Sequence, residues 1–241
     1  MKVIFRADDM GYSADYNEGV LKAIDEGVVS SVDVMLDMPG SDHALIEMKK
    51  RPWVTMNWHP RFLLEPAQSD KDALLERLRA EVERCILLYG QAPFAVTMED
   101  CAGSTATTVC SVAREYGILT DCCGVYGLHD YEGMGKTGLE FDNYREYDPL
   151  RAIQAMPETE GVTVCTMYPG FLDDFTLRLT LKTEKSQRNI HRIQDVVVLC
   201  SDELKAWILE RKIEIVNLRD VVWGKQDYQN KLLLDHNPLA V

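Results

Sequence analysis

Lys2-Val3-Ile4-Phe5-Arg6-Ala7-Asp8-Asp9-Met10-Gly11-Tyr12-Ser13 opens the chain with an apolar run that ends on two adjacent carboxylates. The run predicts a buried first strand over residues 2–7. Side chains alternate across a strand, so one of Asp8 and Asp9 should face the core side. A buried charge needs a metal, a partner or a proton to offset its lost hydration. In α/β proteins, ligands bind at the carboxyl ends of parallel strands, which is where this pair falls. The plainer alternative is that both carboxylates, with Asp15 nearby, cap the following helix.

Outward from this stretch, strand-like runs alternate with helical patterns, which implies βα units and a mainly parallel sheet. A helix is predicted over 16–26, with Val20, Leu21 and Ile24 on one face and Gly27 as its stop. A second strand over 31–36, a helix over about 43–50 and a third strand over 54–58 follow, and the third strand delivers His59. The longest helical pattern runs from Asp70 to Tyr89 and ends at Gly90. A short strand over 95–98 delivers Glu99 and Asp100. Ser104 is placed as the cap of a helix over 105–116, and 118–122 as another strand. Residues 124–143 carry Gly124, Gly127, Gly133, Gly135 and Gly138 with little periodicity and read as a long loop. Further on, a strand over 162–167 leads to Tyr168-Pro169-Gly170-Phe171, and Ser201 caps a helix over 202–211. A last strand over 213–216 and a closing helix from 218 complete the pattern. The result is a single α/β domain, 1–241, built as a distorted, incomplete (β/α) barrel of about seven mainly parallel strands.

Composition narrows the partners. The chain has 241 residues and a formal net charge of −13, from 39 acidic against 26 basic side chains. That balance opposes a nucleic-acid footprint and an anionic membrane. No apolar stretch reaches the length of a membrane span and none reads as a signal peptide, so a cytoplasmic protein is expected. The 7 cysteines (Cys85, Cys101, Cys110, Cys122, Cys123, Cys165 and Cys200) include no C-x-x-C pair and read as small buried residues in a reducing compartment. The adjacent Cys122 and Cys123 have a redox or thiolate-ligand reading as well.

Asp8 with Asp9, His59, Glu99 with Asp100, and Tyr168 fall at the carboxyl ends of four different strands. A metal hydrolase on a barrel needs such convergence: carboxylate and imidazole ligands, an open position for water, and a nearby carboxylate to take a proton.

The chain resembles the YdjC-like carbohydrate deacetylases, which remove acetyl groups from N-acetylated sugars such as chitooligosaccharides. Ala7-Asp8-Asp9-Met10-Gly11-Tyr12-Ser13 is similar to that family's A-D-D-F-G signature, followed by Asn17, Gly19 and Ala23. Val54-Thr55-Met56-Asn57-Trp58-His59 matches its strand ending in a metal-binding histidine. Ala113-Arg114-Glu115-Tyr116-Gly117-Ile118 and the tail from Arg192-Ile193-Gln194-Asp195 through Ser201-Asp202-Glu203-Leu204-Lys205 extend the resemblance over nearly the whole chain. The resemblance implies a distorted (β/α) barrel, with Asp8 as general base and Asp9 and His59 as metal ligands.

Two departures stand out. The family usually carries a D-S-H-x-H-x-H-like segment after its fourth strand, where this chain reads Thr97-Met98-Glu99-Asp100-Cys101-Ala102-Gly103 with no histidine. Counting from Pro93 puts Glu99 at the ligand histidine's place, and counting back from Glu115 puts Asp100 at the last histidine's. Tyr168 stands where the family has a histidine acting as general acid or oxyanion stabiliser. A Glu99 ligand makes the set Asp9-His59-Glu99 one charge more negative, favouring Mg²⁺, with Mn²⁺ or Zn²⁺ as alternatives. Tyr168 can donate to an oxyanion, and with a reference pKa of about 10 it is a poor acid–base group near neutrality. His129 in the long loop is a further candidate for the missing histidine.

The resemblance thus implies a metal-dependent deacetylase acting on a small-molecule or oligosaccharide substrate. Arg192 is read as orienting Asp8 or touching substrate, and Trp58 as stacking on a sugar face or packing in the core. The competing readings are a catalytically inactive carbohydrate-binding relative, motivated by the lost histidines, and a metal-dependent hydrolase of another C–N or ester bond. A homodimer is compatible with the long loop and the many carboxylates.

Overall fold

The first strand, β1 (Lys2–Met10), is the hinge of a sheet in which all the described strands pair in parallel. One of its edges pairs with β5 (Val162–Met167) from Lys2 to Ala7. The other is shared: β6 (Glu214–Ile215) pairs with its start, and β2 (Ser31–Val34) takes over from Arg6. Beyond β2 lies β3 (Thr55–Trp58), and beyond β5 lies β4 (Leu128–Glu132). The structure is a computed structural model that describes residues 1–62, 70–98, 102–120, 128–132, 147–181 and 188–229.

Crossover helices follow from the parallel pairing, since parallel neighbours cannot be joined by tight turns. They are α1 (Ala14–Asp25), α2 (Ser41–Lys49), α3 (Lys71–Tyr89), α4 (Gly103–Glu115), α5 (Pro149–Gln154), α6 (Asp174–Leu181), α7 (Arg188–Cys200), α8 (Asp202–Glu210) and α9 (Leu218–Trp223). Ser13 caps α1 by accepting the Tyr16 N–H, and Ser201 caps α8 by accepting from Leu204. Gly90 ends α3 in the left-handed conformation (φ 102°), as its position predicts. Among the described residues, no helix is long and apolar enough to cross a membrane.

Alternation along β1 sorts two interiors. Val3, Phe5 and Ala7 join the main apolar cluster with Val20, Val32, Met56 and Trp58. Ile4 points the other way and joins Ala95, Leu128, Val164, Val216 and Leu218 in a second cluster. Arg6 and Asp8 continue that second face toward the carboxyl ends, so apolar packing grades into polar and then charged side chains. Above the second cluster, Asp33 accepts from Asn57 Nδ2 (2.7 Å) and Thr97 Oγ1 (2.6 Å), with Arg6 Nε 3.4 Å away. Burial pushes the Asp33 carboxyl up, against the pull of Arg6.

The α/β reading and the parallel sheet hold, with four corrections. The described residues form six strands rather than seven. Among the described residues, the stretches 95–98 and 118–120 contribute only the single bridges Trp58↔Val96 and Ala95↔Leu119, which extend the sheet past β3 without a ladder. Conversely, the segment read as a long loop contains β4, with His129 exposed beside Thr163 rather than near the site. A short strand at the end of the sheet needs no continuous apolar run, which is why hydrophobic periodicity passed over it. Ser104 does not cap α4: the cap position is Ala102, without a side-chain hydrogen bond, and the Ser104 carbonyl accepts from Thr108 Oγ1 at 2.9 Å. Glu99, Asp100, Cys101, Cys122 and Cys123 lie outside the described residues.

One contact locks the site's outer wall. Helix α1 presses on the turn after β5 so closely that a Cβ on Gly19 would stand 2.6 Å from the Phe171 nitrogen, and a Cβ on Gly170 would overlap the Tyr16 ring. Tyr16 is fully buried, so the ring has nowhere to go. Gly170→Ala is expected to destabilise by about 1–3 kcal/mol, the usual cost of overpacking. A urea midpoint unchanged from wild type would contradict this packing.

Candidate active site

Strict alternation would send Asp8 and Asp9 to opposite faces, yet both carboxylates turn to the same place. The reason is a bulge. Between Ala7 and Met10 on β1 the pairing advances three residues, while the β2 partners Val32 and Val34 are two apart. Asp9 absorbs the extra residue in the left-handed conformation, φ 64°, which Asp tolerates better than most side chains. Both residues are buried (0% and 1% exposed), and His59, at the end of β3, is buried beside them. Ligand atoms of Asp8, Asp9 and His59 all lie within 4.8 Å of one another.

Each carboxylate is held differently. Asp8 Oδ1 accepts the Asp9 backbone N–H at 2.9 Å and lies 2.5 Å from His59 Nδ1. With Asp8 as a carboxylate, an acceptor only, the proton belongs on Nδ1 and the imidazole lone pair on Nε2. Carboxylate–histidine pairing of this kind orients metal-binding imidazoles. Asp8 Oδ2 is buried and has no hydrogen-bond partner among the described residues. Asp9 instead meets two guanidinium groups: Arg61 Nη1 donates to Oδ1 at 2.6 Å and Arg192 Nη2 to Oδ2 at 2.7 Å. Burial alone would raise the Asp9 carboxyl, but Arg61, Arg192 and then His59 outweigh it and hold it well below the usual carboxylate range.

Arg192 is fixed by more than Asp9. Its Nη1 donates to the Tyr16 hydroxyl at 2.5 Å, and its guanidinium carbon lies 5.3, 5.3 and 5.4 Å from the ring centres of Tyr12, Tyr16 and Tyr168. Burial, and behind it the Asp9 charge, push the Tyr12 hydroxyl up to about 12. Arg192 therefore clamps Asp9, not Asp8. Tyr168 follows β5 directly, with its ring against this guanidinium and its backbone N–H donating to Asp195 Oδ2 at 2.9 Å. Asp195 also accepts from the Tyr147 hydroxyl.

The structure brings together Asp8, Asp9, His59 and Arg192, with the Tyr168 ring lying against Arg192. It separates Trp58, which is 0% exposed in the main apolar cluster on the face of β3 opposite Asn57. A ring so enclosed offers no surface for a sugar, so Trp58 is a core residue. Sequence reasoning missed Arg61, Tyr147 and Asp195. Arg61 carried a signal, standing two residues past a strand-end histidine. Asp195 stands three residues after Arg192, one helical turn away and on the same side.

Burial pushes the Asp195 carboxyl up to about 6, although hydrogen bonds from Tyr147 and Tyr168 and the Arg192 charge oppose it. Its folded pKa thus exceeds an unfolded value of about 3.9. The sign follows: the protonated form is favoured in the fold, so this group's stabilisation is complete below about pH 4 and lost as pH rises through about 6. Relative to Asp195→Asn, wild type should lose about 2–3 kcal/mol between those limits. Urea titrations across that range that keep a constant difference between the two proteins would contradict it.

Residues 2–60 match the family model described as "YdjC-like protein". "Carbohydrate deacetylase 2" of Listeria innocua is 24% identical, across 92% of this chain and 99% of that protein. "Carbohydrate deacetylase" of Brevibacillus brevis is 25% identical, across 92% of this chain and 100% of its own length. A carbohydrate deacetylase of Vibrio cholerae is 44% identical over 62 residues, 26% of this chain. Among solved structures, a proposed cellobiose-phosphate cleavage protein from Enterococcus faecalis V583 superposes with a TM-score of 0.58 at 22% identity, covering 91% of this chain and 98% of that one, a likeness of fold.

Proposed function

We propose that the chain is a divergent member of the YdjC-like family and a metal-dependent hydrolase that removes acetyl groups from N-acetylated sugars or short oligosaccharides. The observation that carries this reading is the buried meeting of Asp8, Asp9 and His59, with Asp8 Oδ2 unpartnered among the described residues. Two carboxylates and an imidazole suit a divalent ion, and an orphaned buried oxygen is the sort of group that a ligand or reacting water satisfies. Asp9 and His59 would hold the ion, with Glu99 as the third ligand. An oxygen-rich set favours Mg²⁺ or Mn²⁺ over Zn²⁺. When bound, the ion supplies Lewis-acid polarisation of the acetamide carbonyl.

The chain's own groups do the rest. Asp8 takes a proton from the attacking water at Oδ2, while Oδ1 keeps the His59 ring in register. Arg192 holds Asp9 in place from behind, and the Tyr168 hydroxyl donates to the oxyanion as it forms. On this reading the chain acts in the cytoplasm on a small-molecule or oligosaccharide substrate. The test is acetate release from N-acetylglucosamine and its short oligomers. Activity should vanish with chelator and return with Mg²⁺ or Mn²⁺; no acetate with any ion would overturn the reading. The pairing of both Asp9 oxygens with arginine favours, as the second reading, a relative that binds carbohydrate without hydrolysing it.

A further inference from the structure

Asp9 is the residue to which the metal reading assigns a ligand's role, yet a guanidinium already donates to each of its two oxygens. Among the described residues at the site, the formal charges balance: Asp8 and Asp9 against Arg61 and Arg192. A dication added to this buried cluster leaves excess positive charge even with the proposed Glu99 ligand counted, where little water can screen it. One cation must give way. Arg192 is poorly placed to leave, since its side chain is 11% exposed, hydrogen-bonded to Tyr16 and flanked by three tyrosine rings. The Arg61 side chain is 23% exposed and follows His59 by two residues in the segment beyond β3.

Resting on the metal reading above, we propose that Arg61 is an internal counterion that competes with a hard divalent cation for Asp9. Its withdrawal accompanies ion binding and sets how tightly the ion is held. Without the ion, Arg61 keeps Asp9 from being a buried, half-compensated charge. With it, the guanidinium moves off Oδ1 and frees that oxygen for the metal. Arg61 is thus a positioning residue for the site rather than a group that touches reacting atoms.

The probe is Mn²⁺, whose free concentration is read directly by electron paramagnetic resonance, titrated into wild type, Arg61→Lys, Arg61→Gln and Asp9→Asn. Removing the charge should tighten Mn²⁺ binding by about tenfold or more in Arg61→Gln. Arg61→Lys, which keeps the charge but not the planar guanidinium, should fall between Arg61→Gln and wild type. Asp9→Asn should lose binding. In the absence of metal Arg61→Gln should melt lower than wild type, and Mn²⁺ should raise its Tm by more. If wild type binds Mn²⁺ and Asp9→Asn does not, but the Arg61 series is flat or reversed, the competition is refuted and the metal reading survives. If neither wild type nor Arg61→Gln binds the ion, both fall together.

Discussion

Asp8→Asn should lower deacetylation by about 10²- to 10⁴-fold, the range for loss of a positioned general base, with a far smaller change in KM. The asymmetry of the carboxylate is the reason. Oδ1 is committed to the Asp9 N–H and to His59 Nδ1, whereas Oδ2 has no hydrogen-bond partner among the described residues. An amide can still accept at one atom and so keep the His59 ring oriented, but it cannot take a proton from water. Rate and structure should therefore separate, with turnover collapsing while the melting temperature moves little. A variant retaining a tenth or more of wild-type kcat would remove Asp8 from the role of base.

Arg192→Met should cost about 3–5 kcal/mol of folding stability, because it leaves Asp9 buried with half its compensation gone. The same substitution removes the Tyr16 hydrogen bond and a cation enclosed by three rings. The pH dependence should change as well. Asp9 has a folded pKa below its unfolded one, so it stabilises the fold above the unfolded value of about 3.9 and loses that stabilisation as pH falls. Without Arg192 this acid-side dependence should shrink. Arg192→Lys should recover only part of the loss, since an ammonium cannot reach Asp9 and Tyr16 as a planar fork. Urea unfolding of the three proteins decides it; a midpoint for Arg192→Met within error of wild type would show that Arg192 does not hold the site together.

The main βα order was legible because its signals are local and strong: Val3 to Phe5 before the carboxylates, the long periodic stretch of α3, Gly90 and Ser201 at helix ends. β4 was not, because a sheet-end strand such as Leu128–Glu132 owes its pairing to β5 rather than to its own apolar content. At the site, the placement of Asp8, Asp9 and His59 at strand ends could be read from residue order. That Asp8 and Asp9 share a face could not, since alternation argues against it and only the bulge at Asp9 reverses the argument. Trp58 was ambiguous for the opposite reason: it neighbours His59 in sequence, and strand geometry sends it to the far side. The partners of Asp9 come from positions 52 and 183 residues away, distances at which no local pattern carries information.

Arg192 and Asp195 stand on adjacent turns of α7, one fastened to the carboxylate at the end of β1, the other to the first peptide beyond β5. A helix is stiff over so short a span, so a nudge to either end is felt at the other. Drift of α7 by a fraction of an ångström would slacken the grip on Asp9 and shift Tyr168 in the same stroke. Evolution or engineering that retunes one wall of this centre must retune its opposite wall too.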